Sequence, residues 1–213
     1  MRGSGSPSWM ARLEPAPGAG EENRRRILGA AHGLFVTHGH GRTTIADIAA
    51  EAGVAPETVY AAFKNKPALL YRAWDVAVGG DDRDVPVLER PEPRALFAEP
   101  DLRTRLAGPA VVNTAIMRRT APLHLAVRGA AASDPAAAAM LAEIDRQRLE
   151  TMGEHARAAV ATGQLAVAEG ECRDVLWPTT DGTLWHRLVE ERSWSDERYA
   201  AWLGRLWVAS LVA

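Results

Sequence analysis

The chain has 213 residues, 47% of them hydrophobic, and a formal charge of −2 at pH 7. That composition suits one domain, or a small domain joined to a larger one, around a substantial core, and the charge excludes a chain that coats nucleic acid non-specifically without excluding a local basic surface. A single cysteine, Cys172, excludes an internal disulfide; with no run near the ~20 apolar residues of a membrane span and no apolar secretory core at the N-terminus, a cytoplasmic protein free of the membrane is expected.

Residues 1–20 are rich in Gly, Pro and Ser with little apolar periodicity. They read as a disordered tail, with Met1 to Ser4 as an added leader and Met10 near the natural start. From Glu22 a helical stripe begins, made of Ile27, Ala31, Leu34 and Phe35 and ended by Gly39. Arg24, Arg25 and Arg26 occupy its first turns, where the helix dipole disfavours cations by ~0.3–1 kcal/mol each. They read equally as a basic arm touching phosphate or as a solvated face. His38 and His40 have no carboxylate or Cys partner at ligand spacing, so they read as a turn and not a metal site.

The stretch from Thr43 to Lys66 is read as two short helices. Ile45, Ile48 and Ala49 share one face of the first. Thr43 and Thr44 precede it as caps, and Gly53 closes it in the left-handed conformation. Val54 is a turn plug, Pro56 opens the second helix, and Val59, Ala62 and Phe63 form its buried face. Two short helices around a Gly-containing turn make a helix-turn-helix, whose second helix enters a DNA major groove. From Glu21 to Arg72 the basic residues slightly outnumber the acidic ones.

Asn65, Lys66 and Pro67 cap a further helix with Leu69, Leu70, Ala73, Trp74 and Ala77 on its apolar side, stopped by the run from Gly79 to Asp82. Val85 to Pro100 reads as a long connection with at most a short helix around Arg94–Ala98. Asp101 to Ala132 is helical in composition, with a break or kink expected at Pro109 and Pro122. Ser133, Asp134 and Pro135 start an Ala-rich helix running to about Gly163. Another begins at Glu171, breaks at Pro178 to Gly182, and resumes through Leu184 to Val189. Ser195 caps the last helix, with Trp194 expected to staple onto Tyr199. No alternation of period two appears. The expected fold is all-α.

RRRILGAAHGLF, TTIADIAAEAGV and TVYAAFKNKPALL, with the linked spacing of Thr44, Gly53, Tyr60, Phe63 and Lys66, closely resemble the DNA-binding domain of TetR-type transcriptional regulators. RDVLWPTTDGTLWHRLVEERSWSDERYAAWL resembles the divergent ligand-binding domain of the same family in actinobacterial-type sequences. The resemblance implies a helix-turn-helix domain at 21–66 followed by a ligand-binding and dimerisation domain at 67–213. It implies a homodimer on a palindromic double-stranded DNA operator, released when a small-molecule effector binds, with no cofactor. The DNA-facing set it implies is Thr43, Thr44, Pro56, Glu57, Thr58, Tyr60, Lys64 and Lys66. Thr44, Thr58, Tyr60 and Lys66 would meet phosphate and backbone, while Pro56 and Glu57 would lie nearest the base edges. Lys64 taken alone reads as a solvated charge. Where the family commonly carries larger side chains between the Tyr and Phe, this chain has Ala61 and Ala62, so base readout is sparse.

Asn113, Met117, His124, Arg128, Arg148, Met152 and His155 are polar or soft residues among Ala, Leu and Val, and Trp74 and Trp177 suit the walls of a cavity. Trp185, Leu188, Trp202, Leu206 and Trp207 carry more apolar surface than one covering helix needs and are assigned to a dimer interface. A monomer that buries them internally is the alternative. The coupling element is the helix from Pro67 to about Val78. Two other functions compete: a small-molecule-binding protein with a degenerate reading helix, and an all-helical enzyme using His186 or His155. The enzyme is disfavoured because no nucleophile or metal cluster accompanies them.

Overall fold

The computed structural model describes residues 19–80 and 98–213. The tail with its leader, and most of the connection with its short helix around Arg94–Ala98, lie outside the described residues. The helices in chain order are α1 (Ala19–His38), α2 (Ile45–Ala52), α3 (Pro56–Phe63), α4 (Lys66–Gly79), α5 (Leu102–Ala130), α6 (Pro135–Val160), α7 (Glu169–Thr179), α8 (Thr183–Trp185, continuing as a π-helical turn over His186–Glu190) and α9 (Asp196–Leu211). The described residues are all-α, with one isolated bridge between Leu165 and Val212.

Local chemistry sets the boundaries. Asn65, Asp101, Asp134 and Ser195 each accept a backbone N–H at the start of their helices, which removes an unpaired donor. Pro56 and Pro135 occupy first turns, where a missing N–H costs nothing. α1 starts at Ala19, earlier than the periodicity suggested, with Glu21 and Glu22 at its positive end.

Of the break or kink expected at Pro109 and Pro122, no break occurs, since α5 runs continuously through both. Each proline deprives the carbonyl four residues earlier of its donor. Those carbonyls belong to the half-buried Arg105 and the exposed Arg118, within reach of water. Burial along ten positions of α5, from Leu102 to Val127, holds the helix together. α7 likewise continues through Pro178 to Thr179.

Two cores stack along α5 and α6. The first joins α1 to α4 with Leu123 and Val127 of α5 and Ala137, Met140 and Ile144 of α6. The second joins the remainder of α5 and α6 to α7, α8 and α9 through Leu106, Met117, Cys172, Trp185, Tyr199 and Trp207. Gly204 lets α9 close on α5: a Cβ there would stand 3.3 Å from the Ala107 Cα.

Trp185 and Trp207, assigned from the sequence to a dimer surface, are 2% and 3% exposed within their own chain. Their indoles donate to Asp196 Oδ1 at 2.8 Å and Thr179 Oγ1 at 2.9 Å. α5 and α7 already cover them, so they have little surface to offer a partner. Leu188, Trp202 and Leu206 are half-buried against the same core. Trp194 meets Trp202 edge-on with centroids 6.0 Å apart, so the expected packing onto Tyr199 goes to Trp202.

Candidate functional site

α2 and α3 form the helix-turn-helix. Thr44 and Asp47 make a reciprocal capping box, the hydroxyl accepting Asp47 N–H at 3.1 Å and the carboxylate accepting Thr44 N–H at 2.8 Å. The Thr44 hydroxyl, which donates to Asp47 Oδ2 at 2.7 Å, and then the Thr44 N–H hold the Asp47 carboxyl below the usual carboxylate range. Gly53, at φ 63°, turns the chain, and its N–H and that of Val54 bond back to Ala50 and Ala49. Val59 and Phe63 are buried, which turns the opposite face of α3 outward. There Tyr60 is 53% exposed, beside exposed Pro56, Glu57, Ala61, Ala62 and Lys64. Thr58 is half-buried.

Thr43 differs from its expected place. It is 1% exposed and its hydroxyl donates to the Gly39 carbonyl at 2.8 Å. Lys66 is also turned inward, its Nζ 2.8 Å from His40 O and 3.0 Å from Thr43 O. Nor do the three arginines form a uniform arm. Arg26 donates to Ala52 O and Gly53 O at the end of α2, and the Arg24 guanidinium lies 4.8 Å from the Phe63 ring centroid. Arg25 pairs with Glu22 on the surface. Arg26 thus braces the helix-turn-helix from α1, at carbonyls that a helix C-terminus leaves unpaired.

The head and the coupling helix α4 are each tied to the body of the larger domain at a place the sequence did not disclose. His40 Nδ1 lies 2.5 Å from Asp134 Oδ2, while Asp134 Oδ1 caps α6. The His40 bond, then the α6 backbone N–H groups, hold the Asp134 carboxyl low. Arg119 of α5 donates to Ala77 O and Val78 O at 2.8 and 2.9 Å, clamping the C-terminus of α4. No motif spans residues 40 and 134. A buried histidine in a turn and an aspartate in a cap each look complete alone.

Of the residues expected around a ligand, Trp74 and His124 pair between α4 and α5 and Trp177 and Arg148 between α7 and α6, and the Arg148 charge acts on His124, which joins the two pairs at one junction. The Trp74 and His124 rings are 6.1 Å apart, and Arg148 lies 5.8 Å from the Trp177 ring. Arg148 also donates to Thr180 Oγ1 at 3.1 Å and pairs with Asp145 at 3.0 Å. Arg128 is exposed and 3.5 Å from Asp181. Asp145, Thr180 and Asp181 complete this cluster and gave no sequence signal beyond capping and turn composition. Met117 belongs to the second core, where Tyr199 Oη reaches its sulfur at 3.5 Å. Asn113 and Met152 are half-buried on α5 and α6. Burial pushes the Cys172 thiol up to about 11, which makes it unreactive.

His155, half-buried on α6, has its pKa lowered to about 4 by burial and then by the Arg105 charge. The unfolded chain takes up a proton near its ordinary 6.5 that the folded chain refuses. Stability is therefore full above about pH 6.5 and falls as the pH drops towards 4. Lowering the pH from 7 to 5 is expected to remove ~1–2 kcal/mol, allowing for partial exposure, and His155→Gln to flatten that slope in urea melts. An unchanged slope in the variant would assign the loss elsewhere.

On the outer surface, α5 and α9 bound an open groove of about 980 Å³ floored by small apolar side chains, among them Ala107, Ala115, Ala201 and Val208. Val111 at its edge is 62% exposed.

Residues 27–73 match the family described as bacterial regulatory proteins, tetR family. No curated protein matches the chain. Among solved structures, one assigned to the TetR family of transcriptional regulators from Rhodococcus sp. is 19% identical, covering 90% of this chain and 99% of that one at a TM-score of 0.64. SmeT in its triclosan complex is 26% identical over 90% of this chain and 92% of that one, also at 0.64. FadR from Bacillus subtilis in complex with stearoyl-CoA is 19% identical over 88% and 98%, at 0.67. No described helix is long and apolar enough to cross a membrane. The helix-turn-helix lies inside the segment that matches the tetR family of bacterial regulatory proteins, and the larger helical domain behind it shares its fold with solved structures of TetR-family regulators.

Proposed function

We propose that the chain is a homodimeric repressor that binds a palindromic operator through α3 and is released when a small molecule occupies the larger domain. One observation carries this reading. The inner face of α3 is locked into the first core, while Tyr60 and its neighbours stand free in a row. Thr44, Thr58, Tyr60 and Lys64 supply phosphate and backbone contacts, Glu57 reaches the base edges, and Thr43 and Lys66 act by fixing the turn that presents α2.

Fluorescence anisotropy with DNA from upstream of the chain's own gene tests it. Binding falls steeply with salt as phosphate counterions are released. Tyr60→Ala weakens it about tenfold, the value of one hydrogen bond to a charged group, and leaves stability within about 0.5 kcal/mol. Salt-independent binding, or a Tyr60→Ala variant that binds normally, refutes the reading. Exposed Ala61 and Ala62 favour one competitor, a ligand-binding protein with a degenerate reading helix. That competitor predicts binding with no preference for any upstream palindrome.

The groove between α5 and α9 is the surface assigned to the second copy. Its lining carries Arg103, Arg118 and Arg205 together with Asp196 and Glu197, Arg118 and Asp196 standing 3.2 Å apart within the chain, so a two-fold axis can bring charges of both signs from each copy together around the apolar floor. Val111→Glu buries a charge in that contact and is expected to yield monomers at micromolar concentration by light scattering. An intact dimer in the variant places the interface elsewhere. Release follows by population shift: an effector that prefers one separation of the two α3 helices draws the dimer from the DNA-competent state. The clamp of Arg119 on α4 and the His40–Asp134 contact are the paths by which the larger domain moves the head.

A further inference from the structure

Three buried polar atoms on three different helices have no hydrogen-bond partner: His124 Nδ1 on α5, Arg148 Nε on α6 and Trp177 Nε1 on α7. They belong to one junction. Arg148 lies over the Trp177 ring, and its charge is, after burial itself, the strongest influence on His124. His124 is only 2% exposed. Buried N–H groups in native proteins are nearly always paired, and leaving one unpaired costs the full desolvation of that group. Three together mark a place completed from outside the chain.

The chemistry of the missing partner follows from the donors. An indole N–H and a guanidinium Nε–H can only donate. Burial first, and then the Arg148 charge, lower the His124 pKa, so the imidazole is neutral and can present Nδ1–H as a third donor. The partner must therefore accept two or three hydrogen bonds within a small space. A cationic group is disfavoured by Arg148 and by Arg128. The other arms of Arg148 are already engaged with Asp145, Thr180 and the Trp177 carbonyl, which fixes the guanidinium plane and leaves the Nε–H edge open. A carboxylate has two coplanar oxygens suited to that edge and a neighbouring indole N–H. Trp74, whose ring stands 6.1 Å from that of His124, belongs with Leu123, Val127 and Ile144 to the first core, and that apolar side of the junction suits an apolar or aromatic body.

We propose that this junction is the effector site and that it takes an organic acid, with the carboxylate held by Arg148 Nε and Trp177 Nε1 and completed by His124. The proposal rests on the reading that the larger domain binds a small molecule.

The test is made on the full chain without DNA. The Trp177 indole N–H resonance in ¹⁵N-labelled protein, identified by its loss in Trp177→Phe, is followed while benzoate or octanoate is added, with benzamide and octylamine as uncharged and cationic counterparts. A saturable shift is expected with at least one acid, at affinity at least tenfold above its counterpart. Trp177→Phe keeps an aromatic ring but removes the pyrrole part of the indole with its donor, and it is expected to weaken the acid about tenfold, read from the shifts of neighbouring amides. Arg148→Lys keeps the charge and removes the Nε–H, and a loss of similar size is expected. No saturable shift with either acid, equal binding of the counterparts, or unchanged affinity in Trp177→Phe overturns the proposal. A long-lived water at the Trp177 indole that neither acid displaces assigns the three donors to solvent instead. Because no DNA is present, these outcomes leave operator binding untouched, and loss of operator binding leaves them untouched in turn.

Discussion

Gly182→Ala is expected to lower the unfolding free energy by about 2–4 kcal/mol and the melting temperature by about 5–10 °C, the scale for a chain of this size. Gly182 has φ 82°, a region that costs an L-residue roughly 1–2 kcal/mol. A Cβ there would also stand 2.8 Å from the Ala121 Cβ and 3.1 Å from its Cα. Ala121 is fully buried in the middle of α5, so the obstacle is a helix and not the end of a flexible side chain. Overpacking of this kind adds ~1–3 kcal/mol. The damage is functional as well, because the turn before Gly182 carries Thr180 and Asp181, the neighbours of Arg148. Gly33→Ala is the matched control. Gly33 lies in the middle of α1 with nothing within 4 Å of its added Cβ, and the substitution is expected to gain ~0.5–1 kcal/mol from helix propensity. Differential scanning calorimetry on the two variants decides the matter. A Gly182→Ala protein within 0.5 kcal/mol of the parent would mean that α5 and the turn before α8 are not held as closely as described.

What the sequence disclosed and what it hid divide along range. The helix-turn-helix is legible because its signals lie within a few residues of one another: Ile48 and Ala49 share a face, Gly53 turns the chain, and Val59 and Phe63 anchor α3. The cap at Ser195 is legible for the same reason. Pro109 and Pro122 do not break α5, because burial along the helix outweighs the local loss of a hydrogen bond at each. Trp185 and Trp207 show a different limit. Spacing says that a face must be covered, not whether the cover is a second copy or the chain's own α5 and α7. Arg26, Arg119 and the His40–Asp134 pair were illegible because each bond joins residues at least 26 positions apart, and either partner alone fits an ordinary surface or capping role. The orphaned donors of the ligand junction are harder still, since a missing partner can be seen only once every other partner is known.

Lys66→Met is expected to cost about 1.5–3 kcal/mol of stability and to weaken operator binding about tenfold or more. From the sequence Lys66 resembles a phosphate-contacting lysine, yet its ammonium is half-buried and donates to two carbonyls of the turn between α1 and α2. Hydrogen bonds from a charged donor are worth roughly 1.5–3 kcal/mol, and removing the donor leaves buried carbonyl lone pairs without it. Methionine keeps the apolar stem of the side chain, so the loss reports the ammonium rather than the packing. The turn that Lys66 grips also holds His40 against Asp134 and buries Thr43, one residue before the α2 cap. Loosening it moves α2, and with it the angle at which α3 meets the groove. The comparison with Tyr60→Ala separates the two roles: that variant loses DNA affinity at constant stability, whereas Lys66→Met loses both. Urea melts alongside anisotropy on both proteins make the distinction. A Lys66→Met protein as stable as the parent but unable to bind DNA would return the ammonium to the phosphate backbone and leave the turn to hold itself.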